Sequence, residues 1–141
     1  MLKLTRKTEY ALIALGHLNQ PEKSKITKVR EIADAHDLPF HILAKVMQQM
    51  AKEGLVEPVQ GAKGGYRLKA RLADVTLWQF LEAMEGPLGI VDCVIEDECS
   101  QVDSCCIRSP MQVIDHTLKA VFTGLSLEHV IRPYTPDRRP V

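Results

Sequence analysis

Aromatic residues are scarce. One Trp, three Tyr and three Phe supply 5% of 141 residues, so the core has to be built from aliphatic side chains, and Trp78 is expected in core or interface packing rather than against a ligand. Long apolar runs are missing too. No stretch approaches the length of about 20 residues that crosses a bilayer as a helix, which excludes a helical membrane protein. No charged-then-apolar leader opens the chain, and the expectation is a cytoplasmic protein. Net charge is zero, with 18 Lys+Arg against 18 Asp+Glu. There is no glycine-rich phosphate loop, no metalloprotease helix motif and no nucleophile elbow, and no nucleophile–base pair stands out, so an enzyme is not expected. Cys-x-x-Cys is absent as well, which removes the usual signature of a closed zinc knuckle.

The zero net charge hides an asymmetry. Residues 1–72 carry 13 Lys+Arg against 7 Asp+Glu, whereas residues 73–141 carry 5 against 11. A basic half of this kind meets a polyanion, and the acidic half does something else. The length fits one compact domain with an extension.

Within the basic half, residues 5–18 predict a first helix. Tyr10, Ala11, Ala14, Leu15 and Leu18 recur at helical spacing, Thr5 serves as the cap, and Lys3, Arg6 and Lys7 place positive charge at its start, where a phosphate could rest. Thr27 opens a second, short helix whose stripe is Val29, Ile32 and Ala33. After the turn Asp37-Leu38, Pro39 begins a third helix, which stops at Gly54. Its apolar face is Leu43, Val46, Met47 and Met50, and its polar face is His41, Lys45, Gln48 and Lys52. Two helices joined by so short a turn make a helix-turn-helix, whose second member reads the major groove. Residues 55–60 and 66–69 then read as two strands around the glycine tip 61–65. A two-stranded ribbon in that place is a wing, with Lys63 and Arg67 positioned for phosphate or minor groove.

Past the wing, Thr76 and Gln79 match a capping box for a fourth helix. Gly86-Pro-Leu-Gly breaks that helix. Ser109 as cap and Pro110 in the first turn open a long helix, on which Met111, Ile114, Leu118, Val121, Phe122 and Leu125 form a coiled-coil-like seam that packs on the body or on a second copy. Gly124 ends the long helix, and residues 126–131 make one further turn. The fold class is therefore mainly α: a winged helix-turn-helix domain (1–72), a cysteine loop with dimerisation helices (73–131), and a proline-rich tail (132–141) expected to be disordered.

All four cysteines lie between positions 93 and 106, and Cys93, Cys99 and Cys105 are evenly spaced with five residues between neighbours. Thiolates are soft donors that select zinc, copper(I) or iron–sulfur clusters. A loop this open wraps something larger than one ion, and a cluster is the obvious candidate. Two other readings stay open, the reactive thiols of a redox sensor and small buried hydrophobes. Disulfides are disfavoured, because no secretory context is evident and adjacent Cys105 and Cys106 could pair only under strain. The loop is also acidic, with Asp92, Glu96, Asp97, Glu98 and Asp103. Nearby carboxylates raise a thiol pKa unless a metal compensates, which counts against a bare low-pKa cysteine.

Leu4-Thr5, Tyr10-Ala11, the turn Asp37-Leu38-Pro39, Gly54-Leu55-Val56, the stretch Gly61-Ala62-Lys63-Gly64-Gly65-Tyr66-Arg67-Leu68 and the cysteine triplet resemble one bacterial family. It is the winged-helix regulator family that includes the iron–sulfur sensor IscR, the nitric-oxide sensor NsrR, the iron regulator RirA and the regulators of SUF cluster assembly. The resemblance runs to about Val130. It implies a homodimer on palindromic promoter DNA, no membrane association, and a two-iron or four-iron cluster ligated by Cys93, Cys99 and Cys105. For the fourth ligand, Arg108 stands where IscR-like proteins have histidine. Glu9 of the partner subunit matches the carboxylate of NsrR-like proteins and is favoured, and Cys106 is an alternative. Ala44 and Lys45 replace the glutamate and glutamine of IscR-like recognition helices, and Gln60 replaces the wing arginine, which implies a different operator. The expected DNA contacts are Lys3, Thr27, His41, Lys45, Gln48, Gln60, Lys63 and Arg67. The resulting expectation is a repressor that senses cluster status, iron, redox or nitric oxide. Its rival is a cluster-free regulator with a thiol-redox or zinc switch.

Overall fold

A computed structural model describes residues 3–20, 26–96 and 99–132. The described residues form seven α-helices and one two-stranded antiparallel sheet. Helix α1 spans Arg6–Leu18. The hydroxyl of its N-cap Thr5 accepts from the Thr8 amide, satisfying one of the donors a helix start leaves open. Ala11, Ala14 and Leu15 are fully buried where α1 meets α3.

Helices α2 (Val29–His36) and α3 (Phe40–Lys52) are joined by the three residues Asp37, Leu38 and Pro39. Asp37 takes the left-handed conformation (φ 51°, ψ 49°), and the Leu38 amide returns to the Ala33 carbonyl at 2.9 Å. Both helix starts differ slightly from expectation. Pro39 is the residue before α3, not its first residue. Lys28 rather than Thr27 precedes α2, because the Thr27 backbone is committed elsewhere: its N–H and C=O each bond Tyr66 at 2.8 Å.

The end of α3 follows directly from its sequence. Gly54 has φ 79°, a region that costs a side-chain-bearing residue dearly. Its amide bonds Ala51 O at 3.1 Å, and the Leu55 amide bonds Met50 O at 2.9 Å. This double closure, with buried Leu55 and Met50 at its ends, is a Schellman motif. It turns the chain straight into strand β1 (Val56–Val59), which pairs with β2 (Gly65–Leu68) in the register Val56↔Leu68, Glu57↔Arg67, Pro58↔Tyr66 and Val59↔Gly65. Gly65 belongs to the strand and not to the tip. A Cβ there would fall 2.5 Å from the Thr27 carbonyl oxygen, so only glycine lets the wing dock on the segment before α2. The arrangement is a winged helix-turn-helix.

A 3-10 turn (Leu72–Asp74) leads to α4 (Leu77–Glu85), which begins in the expected capping box of Thr76 and Gln79. A short helix, α5 (Asp92–Ile95), interrupts the cysteine segment, which sequence reasoning took as plain loop. Helix α6 spans Arg108–Thr123 with Ile107 at its N-cap, so Ser109 is already inside it and does not cap it. The last helix, α7 (Leu127–Ile131), is capped by Ser126. Fully buried Leu127 brings α7 back against α1 and α4. Two backbone bonds tie the return down, Leu77 N–H to Leu125 O at 2.7 Å and Leu127 N–H to Val75 O at 2.8 Å.

The core gathers Leu15, Ile32, Leu43, Met47, Met50 and Phe80 with their neighbours from α1 to α4. Each such side chain contributes about 1.5–3 kcal/mol by leaving water. Among the described residues no helix is long and apolar enough to cross a membrane. The tail expectation for residues 133–141 lies outside the described residues, as do Asp97 and Glu98 of the acidic loop.

Candidate functional site

Helix α3 separates its two faces cleanly. Leu43, Val46, Met47 and Met50 are buried, whereas His41, Lys45, Gln48 and Lys52 are exposed. The burial of four residues on one side fixes the rotation of the helix and so presents the polar row outward. At the start of α3, the Arg30 guanidinium sits 4.0 Å above the Phe40 ring. That cation–π contact holds a cation from α2 beside the first turn of the polar row. Sequence reasoning missed it; an Arg and a Phe ten residues apart across a turn were the only signal.

At the wing tip Gln60 and Lys63 are exposed. Arg67 is exposed too, but it is paired across the ribbon with Glu57, directly opposite in register. One of the expected DNA contacts falls elsewhere. Thr27 is 1% exposed, so it serves the wing–α2 junction and offers no surface for DNA. Lys3 is exposed before α1, at the edge of a pocket between α4 and α6 that is also lined by Trp78, Leu118 and Phe122.

The phosphate expected at the start of α1 is also displaced, because that position already holds an anion. Glu85, the last residue of α4, accepts from the Thr5 amide at 3.1 Å, from the Thr5 hydroxyl at 2.8 Å and from the Thr8 hydroxyl. Partial burial pushes the Glu85 carboxyl up. The hydrogen bonds from Thr8 and Thr5, with Lys7 nearby, outweigh that and leave its pKa below the ordinary value. On the other side of the same turn, the Gln49 side chain donates to Ala83 O at 2.9 Å and Met84 O at 3.3 Å. The final turn of α4 is thus fastened to α1 through Glu85 and to α3 through Gln49.

The cysteine segment follows that turn. Cys93 on α5 and Cys105 are half-buried, Cys99 and Cys106 are exposed, and all four are free thiols. Cys93, Cys99 and Cys105 line one cavity of about 430 Å³, with Glu96 and Arg108 in the same wall. Cys106 is not part of that lining. Among the described residues no three His, Cys, Asp or Glu side chains converge closely enough to hold a single ion, so the three thiols surround a space instead of meeting at a point. Glu9 lies outside this cavity within its own chain. It is half-buried on the first turn of α1 and pairs with Arg6 at 3.2 Å.

A family model described as "Rrf2: Iron-dependent Transcriptional regulator" matches residues 4–133. The chain belongs to the Rrf2 family. Among curated relatives, it is 31% identical over 109 residues to the HTH-type transcriptional regulator NsrR of Geobacillus kaustophilus, covering 76% of this chain and 74% of that protein. Among solved structures, it is similar to CymR (YrzC), the global cysteine regulator of B. subtilis, with TM-score 0.71 and 27% identity over 93% of this chain and 97% of that one. T. potens IscR shares the fold, with TM-score 0.66 and 23% identity over 92% of this chain and 86% of the other. This Rrf2 protein is accordingly a DNA-binding transcriptional regulator, a non-enzymatic role.

Proposed function

We propose that this Rrf2 protein is a homodimeric repressor that binds palindromic promoter DNA and senses the state of an iron–sulfur cluster. The observation that carries the reading is the single cavity shared by Cys93, Cys99 and Cys105. Three soft thiolates around a space, not around a point, fit a two-iron or four-iron cluster better than one zinc ion. Glu9 of the partner subunit is the fourth ligand in this proposal, in place of the histidine that Arg108 replaces. An oxygen ligand would leave its iron labile, and when bound the cluster supplies iron that oxygen, nitric oxide or iron shortage can attack.

DNA is read by α3, with Lys45 donating to guanine and His41 and Gln48 beside it, while Gln60, Lys63 and Arg67 follow the backbone from the wing. Dimerisation is supported by α6 and its N-cap, where Ile107, Ile114 and Val121 recur every seven residues and are 54%, 44% and 54% exposed. Such a seam is completed by a second helix of the same kind. The division of labour at residue 72 is one of function and not of packing, since α4 and α7 pack against α1. Because the cysteine segment begins where α4 ends, a change at the loop or at Glu9 meets the turn that Glu85 and Gln49 tie to α1 and α3. That gives the recognition helix two positions to choose between.

The test is selection from random DNA with cluster-loaded and cluster-stripped protein. One form should enrich a palindrome strongly and the other weakly. Identical enrichment by both would overturn the sensing role. A thiol switch is the second reading, favoured by the exposure of Cys99 and Cys106 and by the likeness to the global cysteine regulator CymR. Under it, Cys106→Ala would abolish an oxidation-dependent change in DNA binding.

A further inference from the structure

The basic half carries four arginines, Arg6, Arg30, Arg67 and Arg71. Three of them face a carboxylate of their own chain. Arg6 pairs with Glu9 at 3.2 Å, Arg71 with Asp74 at 3.7 Å, and Arg67 with Glu57. Arg30 differs. Among the described residues no carboxylate lies within ion-pair distance of its guanidinium, although Glu31 and Asp34 stand on the same helix. A ring holds it instead, with the guanidinium carbon 4.0 Å above the centre of Phe40. Stacking of this kind occupies the flat face of the guanidinium and leaves its N–H edges open. The ring is itself fixed. Phe40 is half-buried and packs against the core, and the His41 imidazole meets it edge to face with centroids 5.6 Å apart.

We propose that Arg30 contacts a DNA phosphate and that Phe40 is the residue that positions it. The inference rests on the reading that α3 lies in the major groove. With its side chains a helix is about 10–12 Å across, and the groove is about 12 Å wide. Residues flanking the base-facing row therefore meet the phosphates that border the groove. Phe40 stands about 100° round α3 from His41, on the flank where Arg30 of α2 covers it. In a helix-turn-helix the first of the two helices is the one that crosses the DNA backbone. The guanidinium offers paired donors that match phosphate oxygens bidentately. Because the ring holds it in place beforehand, it gives up less side-chain freedom on contact. Arg67 of the wing, by contrast, shares its donors with Glu57.

The duplex enriched by the selection above is titrated by fluorescence anisotropy at several salt concentrations, with the full-length protein in its DNA-binding form. Arg30→Gln should bind about tenfold or more weakly, alike on the enriched duplex and on an unrelated one, and should lower the salt slope by about one. Arg30→Lys should restore the slope but not the full affinity, since the charge returns without the planar fork. Phe40→Leu keeps the charge and an apolar side chain at the core. It should bind about two- to fivefold more weakly at an unchanged slope, and adding it to Arg30→Gln should cost nothing further. Wild-type affinity and slope in Arg30→Gln would overturn the proposal, and an additive double variant would overturn the positioning role of Phe40. Lys45→Ala tells the two possible failures apart. If it too behaves as wild type, α3 is not the reading helix; if it loses discrimination while Arg30→Gln changes nothing, the phosphate contact alone falls.

Discussion

Up to Met84 the molecule closes on itself, and beyond Met84 α7 returns to the same core through Leu127 while the cysteine segment and much of α6 stay open. In the first part, four helices and the wing bury a continuous aliphatic core, and the helix ends are closed by Thr5, Gly54 and the Thr76–Gln79 box. In the second part, Leu127 is the only buried hydrophobic residue among those described, and Ile95, Val102, Ile107, Val113, Ile114, Val121 and Leu125 are exposed. The same residue types therefore do two different jobs. In the DNA-binding half they supply folding stability within one chain. In the cysteine loop and α6 they stay exposed, and under the proposed function they meet groups from outside that chain, where a regulator is switched without being unfolded.

The contrast can be broken most severely at the thiols. Cys93→Ala, Cys99→Ala and Cys105→Ala should each abolish cluster absorption and remove the difference in DNA affinity between loaded and stripped protein, whereas Cys106→Ala should retain both. If Cys106→Ala behaved like the other three, the cavity would not define the ligand set.

A pair of apolar substitutions sharpens the contrast. Leu15→Ala, in the closed core, should cost about 2–5 kcal/mol in urea unfolding. Val121→Asp, on the exposed seam, should leave the melting of the protomer nearly unchanged but convert dimer to monomer in sedimentation. The reverse pattern would mean that α6 is core and not interface. Next in size is Lys45→Ala, expected to lose about 1–3 kcal/mol of discrimination at one base pair. Lys63→Ala should instead weaken all sequences alike and lower the salt slope by about one.

The smallest effect belongs to Glu85, at the border between the two parts. Its folded pKa is lowered, because the Thr8 and Thr5 bonds and Lys7 outweigh the burial that pushes it up. The stability it contributes is thus present above the unfolded carboxylate range and is lost as pH falls through the folded value. Glu85→Gln should be modestly less stable than wild type near neutral pH, and the two melting curves should converge in acid.

The elements were legible wherever a local rule fixed them. Thr5, Gly54, Thr76 with Gln79, and the apolar stripe of α3 each act within a few residues, and each is found where the sequence puts it. The departures come from long-range partners. Thr27 has the composition of a cap, but its backbone pairs with Tyr66, 39 positions along the chain. Lys3 marks a helix start that attracts anions, and the anion proves to be Glu85, 80 residues away from Thr5. Cysteine spacing announced a soft-metal site, yet that Cys93, Cys99 and Cys105 share a cavity and Cys106 does not depends on how α5 and α6 fold the loop.

The central claim is tested most directly by purifying the protein without oxygen, recording its visible absorption, and counting iron and acid-labile sulfide. The account predicts a brown protein with matched iron and sulfide that bleaches in air or nitric oxide. A protein that stays colourless after anaerobic reconstitution with iron and sulfide would contradict it and hand the cysteine loop to thiol or zinc chemistry.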